Sequence, residues 1–236
     1  MKNLIKLQLR NMFKSKLFYI CLGITALMNI LVFVLEFFYP DERILLMPKI
    51  VGIFSSGLDM ILIIFVSLFS SEDFNENTAK NIIGRGYSRK ELLLSKYIVS
   101  IIGVFAINFI MVLLMILLYV WYGIDYEKSM LLVIFVSLFM IIAETILYSS
   151  ISFILEKHSS SILACLFAPN IVSFILSIIG KRINFDLSKY WISNLSDIYI
   201  SNPNIKNIFI SIIGYLVYIV IIIVVTIKLS KDKEIK

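Results

Sequence analysis

Runs of about twenty mostly apolar residues recur down the whole chain, and no other feature narrows its fold as much. They cover about 17–38, 50–70, 92–122, 129–155, 161–180 and 208–227. A helix of roughly 20 residues crosses a hydrocarbon layer about 30 Å thick. In lipid the backbone N–H and C=O groups have no partner outside their own helix, so each run is predicted to be helical. Composition agrees, with 60% of the 236 residues hydrophobic and 16% charged. A soluble domain carries about 25% charged residues, so a soluble enzyme and a disordered tail are both excluded. The expectation is an all-α polytopic membrane protein, a single transmembrane domain over 1–236 with six transmembrane helices.

An even number of spans puts both termini on one side, and the Lys and Arg residues choose the side. With both ends cytoplasmic, the inner segments hold 15 of the 22 basic residues and the outer ones hold 7. The net charge of +6 is therefore read as membrane topology, not as nucleic-acid binding. The basic residues before the first apolar run could suggest a signal peptide. That run is too long and has no small-x-small cleavage site, so it is read as retained. Cys21 and Cys165 lie in apolar stretches and imply no disulfide.

Three segments outside the spans have a character of their own. In residues 1–16, Lys6, Arg10 and Lys14 form a basic stripe while Ile5, Leu9, Met12 and Phe13 share another face, the pattern of an interfacial helix on the cytoplasmic membrane surface. In the cytoplasmic loop 71–91, Ser88 and Glu91 have the spacing of a capping box, so the third span is predicted to begin in the cytosol near Ser88. Thr78 to Ile83 suit a short exposed helix, with Gly84 and Gly86 free to turn the chain back. In the outer segment 181–207, Phe185, Tyr190, Trp191 and Tyr199 suit the headgroup level of the membrane.

No chemistry of an enzyme is encoded. His158 is the single histidine, in a short cytoplasmic turn, and is read as solvated. There is no His-Glu-x-x-His, no Gly-x-Ser-x-Gly and no Gly-x-x-x-x-Gly-Lys, so catalytic and metal-binding residues are expected to be absent and ATP hydrolysis belongs elsewhere. Ionisable groups within spans are the better clue, since a mid-bilayer carboxylate costs about 2.5–3.5 kcal/mol. Asp59 and Glu144 are central in their spans, whereas Glu36 lies near the outer end of its own. The two acids are expected to face the bundle interior, another subunit or a water-filled path, with Asn108 and Asn170 on the same polar path. Packing is the competing reading, with Asn108, Asn170, Thr145 or Ser173 as hydrogen-bond partners. Pro169 is expected to break or kink the fifth span.

The assembly resembles the membrane subunit of a bacterial ABC exporter of the type-2 permease family. The likeness covers essentially the whole chain: an amphipathic elbow helix, six spans, a cytoplasmic loop between the second and third and an outer segment between the fifth and sixth. Its most specific part is Glu72 to Lys96. There Glu76, Asn77-Thr78, Lys80-Asn81-Ile82-Ile83, Gly86-Tyr87-Ser88-Arg89 and Lys96 follow the family's run of an acid, Gly-Thr, a base among apolar residues and Ser-Arg. Asn77 departs from it, standing where the family often has glycine.

The resemblance implies a coupling helix within Phe74 to Ile83 that docks on a separate ATPase subunit. Phe74, Ile82 and Ile83 would fill an apolar cleft of that partner. Glu72, Asp73, Glu76 and Lys80 would surround them as a charged rim, with Thr78 and Asn81 in the same interface. It further implies two ATPase subunits holding ATP and magnesium, and a second permease that is either a copy of this chain or a homologue. The setting would be the bacterial cytoplasmic membrane and its lipid. The cargo would be an amphipathic or lipophilic substrate, a peptide above all. The rival is a gradient-driven secondary transporter or channel that works without an ATPase and uses Asp59 and Glu144 as a relay.

Overall fold

The computed structural model describes residues 1–38, 43–122, 128–196, 198 and 204–231, with side chains left undescribed in parts of the helices. Glu36, Tyr199 and residues 51–58 of the second expected span are among the positions whose side chains lie outside that description. The described residues form helices and turns with no strand. In chain order they are α1 (Lys2–Lys14), α2 (Lys16–Phe38), α3 (Arg43–Asn75), α4 (Thr78–Gly84), α5 (Arg89–Tyr122), α6 (Lys128–Leu155), α7 (His158–Arg182), a 3-10 turn (Leu187–Tyr190) and α8 (Ile205–Lys231).

Four helical stretches among the described residues are long and apolar enough to cross a membrane: Arg89–Phe109, Phe135–Leu155, His158–Arg182 and Lys206–Ser230. Lys2–Lys14 and Lys16–Leu31 add a fifth if counted as one span, but they meet at 58°. That bend falls at Ser15, whose extended backbone ends α1. At 34 residues α5 is about 51 Å long, well over a bilayer's apolar thickness of about 30 Å, so one end of it projects.

Packing is organised in layers along the bundle. At one end Leu4 of α1, Ala79 and Ile82 of α4, Leu92 and Leu93 of α5 and Phe153 of α6 form one buried cluster, joined by Ile227 near the end of α8. The first and last helices thus both reach this end, called the elbow end below. In the middle Met12, Phe18, Phe65, Val99 and Tyr148 form a second cluster. At the far end Val136, Ile192, Leu195, Ile208 and Tyr215 form a third.

Serines fill the helix contacts: Ser67, Ser70, Ser71, Ser95, Ser149 and Ser152 are buried, and Ser70 and Ser149 share a hydrogen bond of 2.9 Å across α3 and α6. Small hydroxylated residues let helices approach closely and satisfy their own polar groups. Apolar side chains on α2, α7 and α8 instead point outward, among them Leu27, Phe167, Phe174, Ile213 and Val220. Lipid is the solvent that suits them.

Two expectations change. α7 runs unbroken through Pro169. Proline removes the N–H that would bond the Cys165 carbonyl, a loss that helices in lipid accommodate. His158 is not merely solvated. It opens α7 half-buried, its Nδ1 2.7 Å from the Ser71 hydroxyl.

Candidate functional site

The predicted capping box forms and starts α5 at Arg89. Glu91 Oε2 accepts the Ser88 amide at 2.9 Å, and Ser88 Oγ accepts the Glu91 amide at 3.2 Å. Ahead of it α4 occupies Thr78–Gly84, one residue longer than expected. Asn77 opens α4 with φ 56°, in the left-handed region where glycine is most at ease and asparagine next. Gly86, at φ 91°, turns the chain from α4 into α5.

What fixes α4 to the bundle is a buried polar node that the sequence did not reveal. Asp73, at the end of α3, accepts hydrogen bonds from three elements. Gln8 Nε2 of α1 donates to Oδ2 at 2.6 Å, Thr78 Oγ1 of α4 donates to Oδ1 at 2.9 Å, and Lys96 Nζ of α5 lies 3.1 Å from Oδ2. The Lys96 and Asp73 side chains are only 1% and 5% exposed. Lys96 also donates to the Phe69 carbonyl at 2.8 Å and stands 4.1 Å from the centre of the Phe69 ring. Each charge is thus paired and hydrogen-bonded, the condition for keeping one away from water. Beside the node burial lifts the Glu72 carboxyl above its ordinary range, against a smaller opposing pull from Lys96.

A second knot ties the same end to the α6–α7 turn. Arg89 pairs with Glu156 and lies 5.4 and 5.6 Å from the ring centres of Phe74 and Phe153. Glu156 takes φ 65°, held there by that pair and by Asn75, which donates to its carbonyl at 2.9 Å.

The nine residues expected to meet an ATPase therefore divide. Glu76, Lys80 and Asn81 are exposed, and Glu72, Thr78 and Ile83 are half-buried. Ile82 and Asp73 are buried inside the chain, and Phe74 packs edge-on against Phe153 at 5.0 Å. The apolar anchors assigned to a partner's cleft are thus largely taken up by this chain's own core, and Arg85 joins the exposed polar face instead. The basic stripe of Lys6, Arg10 and Lys14 is exposed as expected. The buried face of α1 is Leu4, Gln8 and Met12, turned from the expected one because α1 packs against α5.

Halfway along the bundle, a cavity of about 250 Å³ opens between α3, α5 and α6. Asp59 of α3, Asn108 of α5 and Glu144 of α6 line it together, with Thr145 and Tyr148. Three of the four residues expected on a polar path thus share one space. The fourth, Asn170, is exposed on α7 and does not line it. Asn108 and Thr145 bond to carbonyls of their own helices, Val104 at 3.0 Å and Ile141 at 2.7 Å. Ser173, the remaining candidate partner, instead accepts the Asn194 side-chain amide at 2.9 Å.

The segment after α7 is ordered by its aromatics. Phe185 and Tyr190 stack at 5.7 Å, Trp191 meets Tyr218 edge-on at 5.8 Å, and Tyr218 donates to the Tyr190 carbonyl at 2.8 Å. Among the described residues no group of three or more His, Cys, Asp or Glu side chains could hold a metal ion. Comparison with protein-family models, curated proteins and solved structures returns no match.

Proposed function

We propose that the chain is the membrane permease subunit of a bacterial ATP-driven exporter of the ABC type-2 kind. It lies in the cytoplasmic membrane with six spans and both termini in the cytosol. It works with a second permease and with two ABC ATPase subunits, which bind ATP and magnesium and perform the hydrolysis. The cargo is an amphipathic or lipophilic molecule, a peptide above all.

The observation that carries this reading is the attachment of α4. A two-turn helix with an exposed polar face is bound through the single carboxylate of Asp73 to α1, α3 and α5 at once. A loop without mechanical purpose has no need of such a node. Pushed by a partner, α4 would hand its displacement to the elbow and to two long helices together. The left-handed backbone at Asn77 is a second support, since it explains why related permeases favour glycine there. The partner's surface would meet Glu76, Lys80, Asn81 and Arg85, a charged and polar patch rather than an apolar plug.

Purification of the tagged chain from native membranes tests this. An ATPase should co-purify in stoichiometric amount with ATP hydrolysis, and Lys80→Glu with Arg85→Glu should detach it while leaving the permease folded. Recovery of the chain alone, without hydrolysis, rejects the reading. It would favour the gradient-driven carrier, for which Asp59 and Glu144 on one cavity are the specific support. That carrier would transport in vesicles with no ATPase present and lose transport in Asp59→Asn and Glu144→Gln.

A further inference from the structure

We propose that the cavity between α3, α5 and α6 is a binding site for an organic ammonium group carried on an apolar body, with Asp59 and Glu144 as its counter-charges. This names the class of cargo and rests on the transporter reading above.

The first ground is charge. Asp59 and Glu144 enter the cavity from facing helices, and no Lys, Arg or His lines it among the described residues. Among the described residues neither carboxylate takes part in an ion pair, whereas Asp73 and Glu156 near the elbow end both do. Two acids left without a basic partner in an apolar part of the bundle call for a positive ligand.

The second ground is the hydrogen-bonding capacity of the walls. The Thr145 hydroxyl and one amide proton of Asn108 are already given to their own helices. What the walls retain is mostly acceptors, which suits a ligand that donates. Tyr148 also lines the cavity at 8% exposure, and no hydrogen bond of its hydroxyl is found among the described residues. A hydroxyl without a partner on a cavity-lining residue is a polar position open to a ligand.

The third ground separates an organic from an inorganic cation. Hard cations take six to eight oxygens, about 2.3–2.6 Å away for calcium. Here most of the wall surface is apolar, formed by residues such as Leu62, Val66, Val104 and Ile141, and among the described residues only two carboxylates, with no third acid, His or Cys beside them, are there to hold a metal ion. An apolar wall with few polar groups is the ordinary character of an organic-ligand site. Size agrees: a cavity of about 150 Å³ accepts benzene, so about 250 Å³ has room for a ring or short alkyl body and its ammonium arm.

Such an ammonium could come from a small lipophilic amine or from the amino terminus or a lysine of an amphipathic peptide. The test uses the full chain alone in lipid nanodiscs, with radiolabelled 2-phenylethylammonium as probe and uncharged 2-phenylethanol as control. Saturable binding of the amine is expected, at least tenfold tighter than the alcohol. Asp59→Asn or Glu144→Gln should each weaken it tenfold or more, and the double variant should abolish it. Leu62→Trp, which fills the cavity and keeps both acids, should also block binding, so the result does not hang on the acid variants folding. Displacement by a short amphipathic lysine peptide, but not by its fully acetylated form, would assign the source to peptides. Amine binding without such displacement would assign it to small amines. Equal binding of the alcohol, or binding unchanged in the double variant, overturns the proposal. Because no ATPase is present, a failure here leaves the association experiment standing, and a failure there leaves this one interpretable.

Discussion

Asp73 and Lys96 are separated by 23 residues of sequence but share one buried site, and their energetics follow from that burial. Taking one charge away strands the other where water cannot reach it, at a cost of about 3–5 kcal/mol. Lys96→Met should therefore lower the thermal midpoint of the solubilised protein by roughly 6–20 °C, at about 2–4 °C per kcal/mol for a chain of this size. Asp73→Leu combined with Lys96→Met removes both charges and should recover more than half of that loss. If the two substitutions simply add, the pair is not coupled. Little of this was legible in the sequence. Asp73 reads as one more acid in a polar loop, and Gln8 reads as a neutral residue among the apolar ones of α1. The one signal was Lys96, four residues inside a span predicted from Leu92, where a lone cation is out of place. Sequence could not say which carboxylate folds back to meet it, because that depends on the path of the chain through α4. Asp59 and Glu144 were legible for the opposite reason: a carboxylate in the middle of an apolar run is conspicuous before any fold is known.

At the scale of elements, local signals were readable and contacts between helices were not. The Ser88 and Glu91 capping box, the short helix after Asn77 and the turn at Gly86 all depend on residues within a few positions of each other. The seating of α1 does not. It depends on Gly103 in α5, where an added Cβ would stand 2.7 Å from the Phe65 ring and 2.8 Å from Met12 Sδ. No real contact is that short, so Gly103→Ala must push the Met12 tip or the Phe65 ring out of the middle cluster. Overpacking of this kind costs about 1–3 kcal/mol. The expected outcome is a lower thermal midpoint and earlier proteolytic cutting within Lys2–Lys14, with part of both restored when Met12→Ala is added. An unchanged midpoint and cutting rate in Gly103→Ala would mean that the Met12 contact does not seat α1 and that Leu4 and the Asp73 node hold it. Pro169 shows the limit of reading a helix residue by residue, since α7 runs through a residue that by itself predicts a break.

For the whole molecule, the number and direction of crossings are set by which turns lie at which end. Arg89 with Glu156, and Asn75 with the Glu156 carbonyl, bring the α6–α7 turn to the end occupied by α1 and α4. Phe185 and Tyr190 lie beyond the other end of α7, next to Trp191 and Tyr218. The basic residues fall unevenly between these two ends, and the positive-inside rule predicts that the more basic one faces the cytosol. Arg85, Lys157 and Lys189 are all exposed, so each can report its side without disturbing the core. In a chain without Cys21 and Cys165, Lys189→Cys should react with a membrane-impermeant thiol reagent on intact cells. Arg85→Cys and Lys157→Cys should react only after the membrane is opened. Reaction of Arg85→Cys on intact cells would turn the molecule over and leave α4 facing away from any cytosolic ATPase. Reaction of Lys157→Cys and Lys189→Cys from the same side would mean that α7 does not cross. The outward apolar faces of α7 and α8 would then need a protein partner in place of lipid, and the proposed second permease would be their natural cover.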